Sequence, residues 1–177
     1  MRPEAGIWQD SGLPEDVMTQ AISPLHARYM NTLHAMAERA LSLYDLPTGS
    51  TATLLNLSEN ATYRVDAPDG RRWALRVHRH GYQTERSIAS ELAWAMDLRS
   101  SGVAITPSPI AGRTGTFVQR VSHPDIGARF VVLFAWEDGS EPAIGDELTQ
   151  AFETLGETAA RMHIHARQWQ RPSWFTR

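Results

Sequence analysis

The sequence contains no cysteine. Disulfides, cysteine-bound zinc and a cysteine nucleophile are therefore excluded together. Lysine is absent as well, so all 17 basic residues are arginines. Schiff-base chemistry and a lysine general base fall away. Any phosphate contact must use a guanidinium, which stays charged and binds in a planar fork. No apolar run approaches the ~20 residues of a membrane span, and residues 1–6 carry no apolar signal core. Together these point to a cytoplasmic protein without a membrane partner. The net charge of -3 gives no electrostatic reason to expect nucleic acid. What remains is ordinary. A chain of 177 residues, 42% hydrophobic and 21% charged, holds one domain or one and a half small ones.

Residues 1–23 are rich in proline, glycine and acids without period, and are expected to form a tail. Ser23 and Pro24 start a helix, Ser as cap and Pro in the first turn. Leu25, Tyr29, Leu33, Met36, Ala40 and Leu43 then recur at helical spacing and should pack on a sheet. Strands follow over 51–57, 61–66 and 72–78, joined by the polar turn Ser58-Glu59-Asn60 and by Pro68-Asp69-Gly70, a hairpin turn. Thr84 caps a helix running to Ser100, with Ile88, Leu92, Ala95 and Arg99 on one face and Glu91 at its margin. Residues 110–111 and 116–121 are expected to form another hairpin. The nearly all-apolar run 129–136 is the candidate central strand. A linker over 137–145 separates it from a last helix, about 146–169, with Leu148, Phe152, Leu155, Ala159, Met162 and Ala166 on one face.

Three features carry chemistry. Residues 58–65, Ser-Glu-Asn-Ala-Thr-Tyr-Arg-Val, stand in register with the phosphate-covering pattern G-x-G-x-x-G-x-V, although Ser58, Asn60 and Tyr63 replace the glycines. Taken alone, these residues read first as an ordinary hairpin turn. In the third strand Ala74 and Arg76 share one face, while Trp73, Leu75 and Val77 share the other. A small residue beside a cation suits a roof over a purine ring and a phosphate contact; a solvated arginine is the alternative. Glu91 follows on the next helix, where it can hold Arg76 in place or simply face solvent.

Residues 56–65, 74–79 and 90–94 resemble the aminoglycoside phosphotransferase family, a kinase-like group that also holds choline, homoserine and stress-response kinases. The resemblance runs from about residue 24 to the C-terminus. It implies an α+β fold. A protein-kinase-like N-lobe of five antiparallel strands and one helix would follow the leading helix and precede a hinge and the first helix of a second lobe. It implies ATP and magnesium, and transfer of phosphate to a hydroxyl of a small molecule or of protein serine or threonine. Ser58, Glu59, Asn60, Val65, Ala74, Arg76 and Glu91 would line the nucleotide, and the backbone at Ala135 and Trp136 would hold adenine.

The family's H-x-D followed by Asn is missing. In His123-Pro124-Asp125 the residue five beyond the Asp is Phe130, and the tripeptide reads as a turn. The acids of the linker sit among Gly and Pro without evident support. No catalytic or metal-binding carboxylate is therefore assigned, and the catalytic half is expected to lie outside this sequence. His163 and His165 are expected to face a second lobe, whose absence would leave an apolar surface for a partner, another copy included. A non-catalytic lobe that binds nucleotide or protein stays open. So does an unrelated α+β binding domain, which a wide separation of Arg76 and Glu91 would favour.

Overall fold

The structure, a computed structural model, describes residues 24–139 and 148–176. The expected tail, most of the linker and the first residues of the last helix lie outside these. In chain order the elements are α1 (Pro24–Leu41), β1 (Thr51–Leu57), β2 (Ala61–Asp66), β3 (Arg72–Val77), α2 (Glu85–Ser100), β4 (Pro109–Ile110), β5 (Gln119–His123), β6 (Gly127–Ala135) and α3 (Thr149–Gln168).

One antiparallel sheet runs β1-β2-β3-β6. The far edge of β6 is shared. β5 pairs with its first half, Gln119 opposite Val131 and His123 opposite Gly127, and β4 pairs with its second half, Ile110 opposite Leu133. The sheet thus has six strands instead of five, and 110–111 does not pair with 116–121. The cause is local. Gly112 N donates to Thr116 O at 2.8 Å, and Gly115 N donates back to Gly112 O at 2.8 Å, closing a tight turn. A Cβ at Gly112 would stand 2.5 Å from Gln119 Nε2 and 3.0 Å from Leu43 O, so a larger residue there would have to displace the Gln119 side chain. The 123–125 segment runs from the end of β5, at His123, into the turn 124–126 that leads to β6, as its Pro and Asp imply.

The two faces of the sheet are covered unequally. On one, Leu33, Met36, Ala37 and Ala40 of α1 pack against Tyr63, Val65, Leu75, Val77, Val131 and Leu133, all nearly or fully buried. Glu38 Oε1 accepts from Ala52 N at 2.6 Å and fixes α1 to the edge strand. On the other face α2 lays Ile88 and Leu92 over Val132 and Phe134. Thr84 caps α2 as its sequence predicts: its hydroxyl accepts from Ser87 N at 3.1 Å, and the Ser87 hydroxyl accepts from Thr84 N at 2.9 Å. α2 covers only the β6 side of this face, where the cluster lies. Toward β1, Thr53 and Asn56 stay exposed.

α3 carries its apolar stripe, but none of its residues is buried. Phe152, Leu155 and Ile164 are 64%, 61% and 57% exposed. Its far end does meet α2, and His165 Nε2 lies 2.7 Å from Asp97 Oδ2. That corrects the expectation for His165, which packs on this lobe because α3 runs back beside α2. No described helix is long and apolar enough to cross a membrane.

Stability should follow this division. Leu75→Ala, beneath α1, is expected to lower the unfolding free energy by about 2–5 kcal/mol, while Leu155→Ser should change it by less than about 0.5 kcal/mol. Urea unfolding followed by circular dichroism checks both values.

Candidate functional site

β3 alternates, and its partners inherit the alternation. Arg76 is paired with Thr62 on one side and Val132 on the other; Ala74 is paired with Arg64 and Phe134. Opposed residues in a sheet point the same way. All six therefore share the face that α2 half covers.

A bulge extends this row to the edge. The register between β1 and β2 shifts between Leu54 and Asn56, so Leu55 has no partner and Asn56 pairs with Thr62. Asn56 thereby joins the row of Arg76. Without the shift Leu55 would stand opposite Thr62 and Asn56 would point to the α1 side.

Arg76 is held on both sides. Its Nη1 donates to Glu91 Oε1 at 2.8 Å. Its guanidinium carbon sits 5.2 Å from the centre of the Phe134 ring. The side chains are 33% and 44% exposed, so the ion pair contributes at most about 1 kcal/mol. Its value is positional: it leaves the remaining donors of the fork directed by a rigid helix and a packed ring.

The polar turn lies at the end of β3 next to Arg76, because Ala61 pairs with Val77. It is fastened there. Arg79 N donates to Asn60 Oδ1 at 3.3 Å, Arg79 Nη1 donates to Glu59 Oε2 at 3.1 Å, and Ser58 N donates to Asn60 O at 3.1 Å. Ala135 lies at the other end, opposite Trp73. Its N–H is already taken by Ser108 O at 2.8 Å. Trp136 and the residues to 139 continue beyond the ladder, with Trp136 Nε1 donating to Asp138 Oδ1 at 2.9 Å. Glu137 is not loose: Arg99 Nη1 donates to its Oε1 at 2.7 Å and also to Thr106 O. The first linker acid therefore does have support, through an arginine 38 residues away.

Ala74, Arg76 and Glu91 are thus brought together. Ser58, Glu59 and Asn60 stand at one end, Ala135 and Trp136 at the other. Val65 is not brought to this face. It pairs with Trp73, is fully buried, and belongs to the α1 side. The eight-residue pattern placed it by spacing, whereas the pairing of β2 with β3 decides the face. Thr62, Arg64, Asn56 and Phe134 are the neighbours that the reading missed. Counting alternate residues outward from Arg76 finds Thr62 and Arg64 once the hairpin register is known; the bulge that turns Asn56 inward has no sequence signal.

Among the described residues no three His, Asp or Glu side chains converge as a metal site. Of the described carboxylates on this face, Glu91 is engaged by Arg76 and Asp66 by Arg64 and Arg72.

The sequence matches the model of the phosphotransferase enzyme family over residues 51–177. The chain belongs to that family. The solved structure of a microcompartment-associated aminopropanol kinase is similar, with 39% identity and a TM-score of 0.71 over 81% of this chain. An amicoumacin kinase solved with AMP-PNP, Ca2+ and Ami has the same fold at 21% identity, with a TM-score of 0.70 over 86% of this chain. The chain spans 43% and 46% of the length of these two proteins. No curated protein sequence matches it. The α+β lobe described above is kinase-like.

Next to Arg76 lies a titratable reporter. His78 is 3% exposed. Burial, and then the charge of Arg76, push its imidazole below the ordinary value of 6.5; a hydrogen bond with Gln83 and the charge of Glu91 act the other way. The folded state therefore binds this proton less well than the unfolded chain does. Stability supplied by the neutral ring is present above pH 6.5 and is lost as pH falls through the folded value. His78→Gln should flatten the fall in melting temperature between about pH 6.5 and 5. Differential scanning calorimetry across that range measures the slope.

Proposed function

We propose that this chain is the nucleotide-binding part of an ATP-dependent phosphotransferase whose acceptor is a hydroxyl of a small molecule. The observation that carries this reading is the Arg76–Glu91 pair at 2.8 Å beside the small Ala74 on a half-open sheet face. The ends of β3 separate the two chemistries a nucleotide needs. The Ser58–Asn60 turn and Arg76 lie at one end for phosphates, and the free backbone beyond Ala135 lies at the other for the base. Four strand steps, about 13 Å, lie between Trp73 and Val77.

The described residues fit ATP in this way. Ala74, with Thr62 and Arg64 beside it, forms the roof; Arg76 makes charge-assisted bonds to phosphate oxygens while Glu91 holds it. They do not fit magnesium, because Glu91 is engaged and no cluster of carboxylates exists on this face. We assign magnesium binding and the orienting of the acceptor to sequence beyond the span that this chain shares with its relatives. In the complete reaction the γ-phosphoryl group passes from the β-phosphate oxygen to the acceptor oxygen, ADP leaves and the hydroxyl gives up its proton. An amino alcohol is the first acceptor to try, on the strength of the aminopropanol kinase at 39% identity.

Calorimetry with ATP tests the reading. Half a cleft buries little of the nucleotide, so binding should be weak. Arg76→Ala should lower it at least tenfold, about 1.4 kcal/mol. The same 177 residues should transfer no phosphate to amino alcohols above a buffer control. Tight binding indifferent to Arg76→Ala, or transfer by this chain alone, would overturn the assignment.

A further inference from the structure

Arg129 is out of keeping with its surroundings. It stands in β6 opposite Val121 and is only 7% exposed. Among the described residues nothing accepts a hydrogen bond from its guanidinium and no carboxylate pairs with it; its Nε is shut off from solvent without a partner. A buried charge left in this state weakens the fold, and folded proteins normally pair such charges.

The residue lines a cavity of about 140 Å³ between α1 and the β1–β2 turn, on the face of the sheet opposite Arg76. Tyr29, Leu33 and Leu57 give it apolar walls; Ser58, Glu59 and Arg79 give it a polar rim. Glu59 already serves Arg79, at 3.1 Å. Two guanidinium groups thus face one carboxylate, and the surplus positive charge lies on the buried one. The volume is below the ~300–1,000 Å³ of pockets for drug-sized ligands, so the missing partner is small.

We infer that this cavity binds a tetrahedral oxyanion of phosphate or sulfate size on Arg129, with the Ser58 hydroxyl and Arg79 as further donors. The charge-assisted bonds complete a guanidinium that the protein leaves unpaired. The anion also ties the turn from behind, because Ser58 and Glu59 belong both to the turn and to the cavity. The cavity opens on the face opposite Arg76 and shares only Ser58 and Glu59 of the turn with the proposed nucleotide site.

Thermal unfolding of the full chain in inorganic phosphate, against sodium chloride at matched ionic strength, tests this. Phosphate should raise the melting temperature saturably, by about 3–6 °C at ten times its dissociation constant. Arg129→Met should abolish the response and raise the melting temperature in phosphate-free buffer, since an apolar side chain then replaces an unpaired buried charge. Glu59→Gln, a surface change, should lower the half-saturating phosphate concentration at least twofold by releasing Arg79. Arg76→Ala should leave the response intact. A wild-type response no larger than that to chloride would overturn the inference. So would a response that survives Arg129→Met, one that Glu59→Gln leaves unchanged, or one that Arg76→Ala removes.

Discussion

A strand gives alternate side chains to opposite faces, and β3 sits between β2 and β6 with a different task on each side. Trp73, Leu75 and Val77 must meet α1, and Leu75 and Val77 are shut off from solvent almost completely. Once they do, Ala74 and Arg76 have no freedom to face anywhere but α2. The position of the guanidinium is therefore a consequence of core packing. The modest ion pair with Glu91 only selects where along that face the fork rests. A one-residue slip of β3 would bury Arg76 beneath α1 and expose Leu75, so the core enforces the register of the site.

The division of the sheet extends outward from there. One face is closed by a long helix and carries most of the core. The other is closed only where α2 lies over β6 and the adjoining part of β3. A functional face has to remain open, and its rigidity then comes from the covered face behind it. Charges follow the same plan. Arg76, Arg99 and Arg79 each meet a carboxylate at 2.7–3.1 Å on helix, linker or turn. With no lysine in the chain, all these clamps are guanidinium groups, which can bond one partner and still present donors to another.

The sequence made the local parts visible. Alternation in β3, the Thr84 cap and the place of Glu91 on its helix each depend on residues within one or two turns of one another. Those signals placed Arg76 and Glu91 together correctly. What stayed hidden depends on pairing between distant segments. Val65 falls on the α1 side because β2 is in register with β3, and no spacing within 58–65 encodes that. Asn56 reaches the row of Arg76 through a bulge at Leu55. β4 and β5 divide one edge of β6, each pairing with it and not with the other. Arg99 reaches Glu137, and His165 reaches Asp97, across 38 and 68 residues. Such contacts are fixed only when the helices are in place.

The central claim is that nucleotide lies on the half-open face between the turn and the end of β6. Titrating ATP into the isotopically labelled chain and following backbone amide shifts by nuclear magnetic resonance tests it most directly. The account predicts the largest shifts at Ser58, Asn60, Thr62, Arg76 and residues 136–139, with residues 33–41 of α1 unmoved. Shifts confined to the α1 side, at Tyr29, Leu33 and Arg129, with Arg76 and 136–139 unaffected, would contradict it.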